Sequence, residues 1–190
     1  MTELEQYINS YFGVDDSGAI KIILSHFKPV KIKKGDYLVH QGKQCNELSF
    51  VQQGIIRMFL HKEDKEITQW ISTKGQFATD LTSFVFNTPS LINIQALSDT
   101  EIYSISKNDY ANLGSTLPQW HKLEKMFLLN CFITLEQRVL SHLAMTAEER
   151  YVSFFEKNKE LFNQVPLQYI ASMLGMTPET LSRLRKKKSM

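Results

Sequence analysis

Turn-forming residues recur at short and regular intervals through the first half of the sequence, between Lys34 and Asp99. They separate apolar runs with strand character, namely ELSFV, IIRMFL, EITQWI, LINIQAL and EIYSIS. Each turn signal follows the last after about 8 to 13 residues, a rhythm typical of an all-β barrel, sandwich or roll. Residues 29–105 are therefore predicted to form a β-domain of short strands, preceded by a short helix at residues 17–26.

A second segment, residues 118–145, contains neither glycine nor proline after its first residue, Pro118, and predicts one long helix. Its centre, MFLLNCFITL, carries no charge and is apolar nearly all the way round. A helix of that kind must be covered on more than one side. The β-domain can cover one side and a second copy of the chain another, so we predict a homodimer; the alternative is a monomer that buries the helix alone. The residues predicted for the dimer contact are Leu123, Phe127 and Asn130.

The C-terminal segment predicts two short helices joined by a tight turn. In PLQYIASMLGM, apolar residues share one helical face, and Gly175 suits the left-handed conformation that follows a helix end. Thr177 is then predicted as the N-cap of the next helix, with Pro178 at its first position and Glu179 in its first turn. Two helices joined in this way are typical of a helix-turn-helix unit, although any two-helix hairpin can share the pattern.

Positive charge is concentrated at the same end of the chain, although the net charge of the whole is only +2. From Ala171 onward, five basic residues face the single acid Glu179, a local balance of +4, so the remainder sums to −2. A basic C-terminal segment on an otherwise mildly acidic chain favours a polyanion as partner, although many charge runs are merely solvated. The basic residues are Arg183, Arg185, Lys186, Lys187 and Lys188.

The sequence does not support several other classes of protein. The acidic N-terminus is not a secretory signal, and no run approaches the roughly 20 apolar residues of a membrane span. Cys45 and Cys131 form no metal-binding pattern, which indicates reduced thiols in a cytoplasmic protein. A cupin-like metalloenzyme would need several converging histidines and a carboxylate, whereas the β-domain offers only His40 and His61. We therefore predict no enzyme, no metal and no cofactor.

The sequence resembles transcriptional regulators of the Crp/Fnr family over nearly its whole length. KKGDYLVHQGKQCNELSFVQQG resembles the start of the family's cyclic-nucleotide-binding β-roll, and YIASMLGMTPETLSRLRK resembles its DNA-reading unit. The resemblance implies an α+β fold. An N-terminal helix and an effector-type β-roll would occupy residues 1–117, and a dimerisation helix residues 118–146. A helix-turn-helix domain would occupy residues 147–190, without an obvious C-terminal wing.

The resemblance also implies which residues contact double-stranded DNA. Glu179 and Arg183 match the family's base-contacting positions, and Thr180 matches a phosphate contact. Residues four apart share one helical face; arginine can bind guanine in a bidentate way, and a carboxylate can accept from cytosine. A simple surface ion pair is the alternative. The predicted DNA-binding set, on a near-palindromic site, is Thr177, Glu179, Thr180, Arg183, Lys186 and Lys187.

The effector cassette departs from the family's pattern. Cyclic-nucleotide-binding relatives carry a Gly-Glu pair for the ribose and an Arg-Ser pair for the phosphate, where this chain has Thr-Asp and Ser-Leu. No Lys, Arg or His lies within residues 75–97, and a buried phosphate without an ionic partner is costly. We therefore predict a degenerate pocket that binds cyclic nucleotides weakly or not at all. Its predicted residues are Thr79, Asp80, Leu81, Ser90 and Leu91.

Two functions from different classes follow. The first is a DNA-binding transcription regulator with RNA polymerase as a further candidate partner and an unidentified small-molecule effector. The second is a protein-interaction module on a β-roll scaffold, whose helical hairpin would meet another protein. Salt-dependent binding to DNA separates them, since only the first releases counterions from a polyanion.

Overall fold

A computed structural model describes residues 3–188 of the chain. Two helices, α1 (Glu3–Phe12) and α2 (Ser17–Ser25), precede the β-domain. The strands are β1 (Lys28–Ile32), β2 (Tyr37–Val39), β3 (Glu47–Gln53), β4 (Ile56–Lys62), β5 (Lys65–Ser72), β6 (Phe77–Ala78), β7 (Asn93–Ala96) and β8 (Thr100–Ser106), with α3 (Leu81–Phe86) between β6 and β7. The remaining helices are α4 (Lys107–Thr116), α5 (Trp120–Ala144), α6 (Ala147–Lys157), α7 (Leu161–Gln164), α8 (Leu167–Met173) and α9 (Pro178–Lys188).

The strands form two antiparallel sheets, in the orders β1-β8-β3-β6 and β2-β7-β4-β5. Their facing sides bury a core of aliphatic side chains that includes Val51, Ile56, Ile94 and Ile102. At Gly54, with φ of 100°, a Cβ would lie 2.8 Å from the carbonyl oxygen of Asp99, so that turn requires glycine. The predicted β-roll within an α+β fold is confirmed, and the predicted strand runs lie on β3, β4, β5, β7 and β8.

A second core joins the N-terminal helices to α5. The rings of Phe12 and Phe127 stack with centroids 4.9 Å apart, and Trp120 lies 5.7 Å from Phe12. Leu123 and Phe127 are 4% and 1% exposed. Helix α1, which no prediction included, therefore covers one side of α5.

This packing corrects the predicted dimer contact. Leu123 and Phe127 lie in the chain's own core, and Asn130 donates from its side-chain amide to the carbonyl oxygen of Tyr11 at 2.8 Å. All three residues contact the chain's own N-terminal part, because α1 packs along that face of α5. Leu123 and Phe127 are therefore buried within the chain itself, and Asn130 is half-buried.

The opposite side of α5 exposes an unusual amount of apolar surface. Phe132 is 60% exposed and Leu143 is 79% exposed, in a helix whose other side buries Trp120, Leu123 and Phe127. Contiguous exposed apolar surface of this kind marks an interaction site. The exposed apolar residues of α5 are Met126, Leu128, Leu129, Phe132, Ile133, Leu135, Val139, Leu140 and Leu143, and we call them the apolar face of α5.

Candidate nucleic-acid interface

The turn between α8 and α9 is built by local hydrogen bonds. Gly175 has a φ of 65°, its N–H donates to the Ser172 carbonyl at 3.1 Å, and the N–H of Met176 donates to the Ala171 carbonyl at 3.0 Å. These two bonds form a Schellman motif, which satisfies the last carbonyls of a helix and reverses the chain. The predicted glycine at the helix end is confirmed.

Helix α9 begins as predicted. The Thr177 hydroxyl accepts from the N–H of Thr180 at 3.2 Å, which caps the helix, and Pro178 stands at its first position. The N–H of Glu179 itself and the Thr177 hydroxyl hold the pKa of the Glu179 carboxyl below its usual value. Glu179 is therefore ionised at neutral pH and can only accept hydrogen bonds.

Opposite faces of α9 have opposite character. Leu181 and Leu184 are 0% and 9% exposed, and they pack on Ile170 of α8 within one apolar cluster. The side chains of the other face are exposed and surround a shallow depression on the surface. They are Pro178, Glu179, Ser182, Arg183 and Lys186. The structure thus brings Glu179, Arg183 and Lys186 to one accessible surface.

Lys187 lies apart from that surface. Its ammonium group contacts both carboxylate oxygens of Glu148 on α6, at 2.8 and 3.0 Å. Both side chains are well exposed, so the pair stabilises the fold by no more than about 1 kcal/mol. A phosphate contact by Lys187 would therefore have to compete with Glu148.

The effector cassette is held together by Asp80. One carboxylate oxygen accepts from the N–H of Ser83 at 3.1 Å and caps α3, and the other accepts from the Ser90 hydroxyl at 2.9 Å and the N–H of Leu91 at 3.1 Å. The Thr79 hydroxyl instead donates to the Glu47 carbonyl at 2.9 Å. Three of the five predicted pocket residues therefore bind one another through a carboxylate of the chain itself.

A cavity of about 590 Å³ lies between the roll and α5. Its lining is mainly apolar and includes Trp70, Leu81, Leu91 and Phe127. It also includes Arg138, a cation from α5 that an inspection of residues 75–97 alone misses. Burial lowers the pKa of the Arg138 guanidinium, which nevertheless donates to the backbone carbonyls of Gln69 and Met173.

Three arginines that the sequence analysis does not single out, Arg57, Arg138 and Arg150, connect the helix-turn-helix unit to the rest of the chain. A signal existed only for Arg57, which is a lone charge inside the apolar run IIRMFL and is 1% exposed. Arginine is almost never fully buried unless it is paired, so its position indicates a structural partner. Arg138 and Arg150 look like ordinary charges of helix surfaces in the sequence.

Two further properties concern residues 3–188 as a whole. No group of three or more His, Cys, Asp or Glu side chains in this part of the chain could hold a metal ion. None of the helices described there has the length and apolar character needed to cross a membrane.

Comparison with known proteins agrees with this architecture. The family model of the cyclic nucleotide-binding domain matches residues 29–116. The anaerobic regulatory protein of Bacillus subtilis (strain 168) is 29% identical over 107 residues, which are 56% of this chain and only 40% of that relative.

Solved structures extend the similarity to the C-terminal helices. FixK2 from Bradyrhizobium japonicum has a TM-score of 0.71 at 17% identity, over 85% of this chain and 83% of that one. A protein of Eubacterium rectale, described as a crp/fnr family regulator, has a TM-score of 0.70 at 18% identity, over 96% of this chain and 87% of that one. Identities this low show a shared fold.

The fold therefore defines a protein in which a cyclic nucleotide-binding domain is joined through a long helix to a helix-turn-helix unit. Residues 29–116 match the cyclic nucleotide-binding domain, and the chain as a whole shares its fold with FixK2 and with the crp/fnr family regulator of Eubacterium rectale.

Proposed function

We propose that this protein is a cytoplasmic, non-enzymatic transcription regulator that binds a near-palindromic DNA site as a homodimer. The observation that carries the proposal is α9, which buries Leu181 and Leu184 and leaves Glu179, Arg183 and Lys186 exposed on its other face. A recognition helix needs this division, because one face must dock on the protein while the other enters the major groove. RNA polymerase is a further candidate partner.

The apolar face of α5 supports the dimer. In a single chain its side chains are exposed to solvent, although they are of the type that proteins usually bury. A second copy related by a two-fold axis would cover this face with the same face of its own α5. The two copies of α9 would then be presented to DNA with two-fold symmetry.

Selection from random DNA duplexes, followed by titration at two salt concentrations, tests the proposal. We expect the selected sequences to share a two-fold motif with half-sites about one helical turn, or about 34 Å, apart. Affinity should fall steeply as salt rises, because lysine and arginine displace counterions from phosphates. If no two-fold motif emerges, α9 is not a reader, and the protein-interaction alternative takes its place.

The proposal includes a cassette that does not accept a cyclic phosphate. The Ser90 hydroxyl and the Leu91 N–H are donors that could bind an anion, but the Asp80 carboxylate already occupies them. A phosphate brought to the same place would meet a carboxylate at short range, and like charges there are unfavourable. Both terminal nitrogens of Arg138 donate to carbonyl oxygens, one on β5 and one on α8.

Calorimetric titration with cyclic AMP and cyclic GMP should accordingly show no binding up to about 1 mM, a concentration at which even a weak specific site would be half filled. A micromolar dissociation constant for wild type would contradict the degenerate pocket. Asp80→Asn removes the competing charge at the same size and is the matched variant. If the cassette can bind a cyclic nucleotide at all, the Asp80→Asn variant should bind it more tightly than wild type does. The amide oxygen of the new asparagine can still cap α3.

A further inference from the structure

The last carbonyls of α8, at the turn that leads into α9, accept hydrogen bonds from two arginines on other helices. Arg138 of α5 donates to the Met173 carbonyl at 3.0 Å, and Arg150 of α6 donates to the Leu174 carbonyl at 2.9 Å. A second nitrogen of Arg150 lies 3.4 Å from the Gly175 carbonyl. Cations at a helix C-terminus complement its dipole and satisfy acceptors that have no partner within the helix.

Each of these arginines also holds an element outside the helix-turn-helix unit. Arg138 donates from its other terminal nitrogen to the Gln69 carbonyl on β5. Arg150 donates to the Met145 carbonyl, just after the end of α5, at 2.7 Å. The planar guanidinium presents several donors in a fixed geometry, so one side chain can join two backbone segments, which a lysine ammonium does less precisely. We call Arg138 and Arg150 the arginine clamp.

Further contacts of α8 attach it to the edge of a sheet. The N–H of Thr68 donates to the Ser172 hydroxyl at 2.9 Å, and β5 is the last strand of its sheet. Arg57 of β4 lies between two rings, 4.1 Å from the centroid of Phe59 and 3.5 Å from that of Tyr169 on α8. An uncovered strand edge has unpaired backbone groups, and α8 together with the clamp satisfies two of them.

We propose that Arg138 and Arg150 are positioning residues that fix the orientation of α9 relative to α5, and thereby determine the half-site spacing that the dimer accepts. The inference rests on the proposed function. Helix α5 carries the apolar face and hence the dimer axis, while α9 docks on α8. Only Met145 and Thr146 link α5 to α6, so side-chain contacts, and not the backbone alone, set the angle between the dimer helix and the reader.

The clamp acts on spacing and not on base preference. One added base pair moves the second half-site by about 3.4 Å and turns it by about 34° around the DNA axis. Two copies of α9 that are held rigidly cannot follow that change, so the gain in affinity from binding both half-sites at once is lost. Without the clamp, α9 keeps its cap and its packing on α8, and each unit still reads its half-site.

Arg138→Gln and Arg150→Gln, singly and together, test the inference on the full chain. Lys122→Gln is the matched control, because it removes the same charge from an exposed position on α5. Affinities are measured for the selected site and for versions whose spacer is one or two base pairs longer or shorter. The affinity of wild type and of the control should fall about a hundredfold with each altered spacer, and that of the double variant should fall less than about tenfold. The preferred bases within a half-site should not change.

Three results would overturn the inference: equal spacing dependence in wild type and clamp variants, a changed base preference, or a Lys122→Gln control whose spacing dependence is weakened as much as that of the double variant. If either glutamine variant fails to fold, Arg138→Lys and Arg150→Lys take its place, since they keep the charge and the stem but not the fork. They should broaden the accepted spacing with a melting temperature within a few degrees of wild type. Failure of the proposed function looks different, because wild type would then select no two-fold site at all.

Discussion

Phe132→Asp is expected to turn the protein into a monomer and to remove most of its affinity for a two-fold DNA site. Phe132 is 60% exposed at the middle of the apolar face of α5, so the substitution leaves the folded chain intact. In a dimer the same position would be desolvated, and a carboxylate buried there without a partner is strongly unfavourable. Light scattering should give 22.0 kDa for the variant and twice that mass for wild type.

The loss of affinity should be about a hundredfold or more, because a single reader no longer gains from the second half-site. Gln137→Asp introduces the same charge at a neighbouring exposed position outside the apolar face and should leave the dimer unchanged. A dimeric Phe132→Asp would place the contact between copies elsewhere.

Phe127→Asp cannot serve as this test. Phe127 is 1% exposed in the chain's own core, where losing the ring alone costs about 3 to 5 kcal/mol.

Arg183→Ala is expected to weaken binding to the selected site by about 1 to 3 kcal/mol and to relax base preference at one position of each half-site. Arg183 is exposed on the face of α9 that carries Glu179, while the buried face docks on α8. A bidentate contact to guanine is specific, so its loss should be large on the selected site and small on other sequences. Competition titration against a panel of single-base variants measures both effects.

Charge changes at positions without a predicted base contact provide the contrast. Lys186→Ala should weaken all sequences alike and reduce the salt slope by about 1 for each lysine removed from contact with DNA. Glu148→Gln should tighten binding to all sequences, since Lys187 then loses its competing carboxylate. An Arg183→Ala protein that keeps its base preference would exclude α9 as the reader.

Local signals were sufficient for much of the fold. The turn residues and the spacing of the strands predicted an all-β domain of short strands, and the family resemblance narrowed it to a β-roll. The absence of glycine and proline after Pro118 predicted the long helix, observed at Trp120–Ala144. Thr177, Pro178 and Gly175 each act on their own few residues of backbone, so their roles could be read without knowing the rest of the chain.

Some local signals were present and not used. Helix α1 buries Ile8 and Phe12, which are four residues apart, and its acidic first turn suits a helix start. Thr146 and Glu149 form a capping box at the start of α6, with the spacing that defines this motif in a sequence. Both helices could have been predicted, and α1 would have identified the cover for one side of α5.

The sequence by itself determined strands β3, β4, β5, β7 and β8, the long helix, the turn chemistry of the reading unit and the absence of a cation within residues 75–97. Only the tertiary structure decided which side of α5 meets its own chain, because a helix that is apolar all round carries no periodic signal to choose a face. It also decided the partners of Asn130, Arg57 and Lys187, which bind groups on elements distant in the chain. Such contacts depend on how helices and sheets pack, and no local pattern in the sequence specifies them.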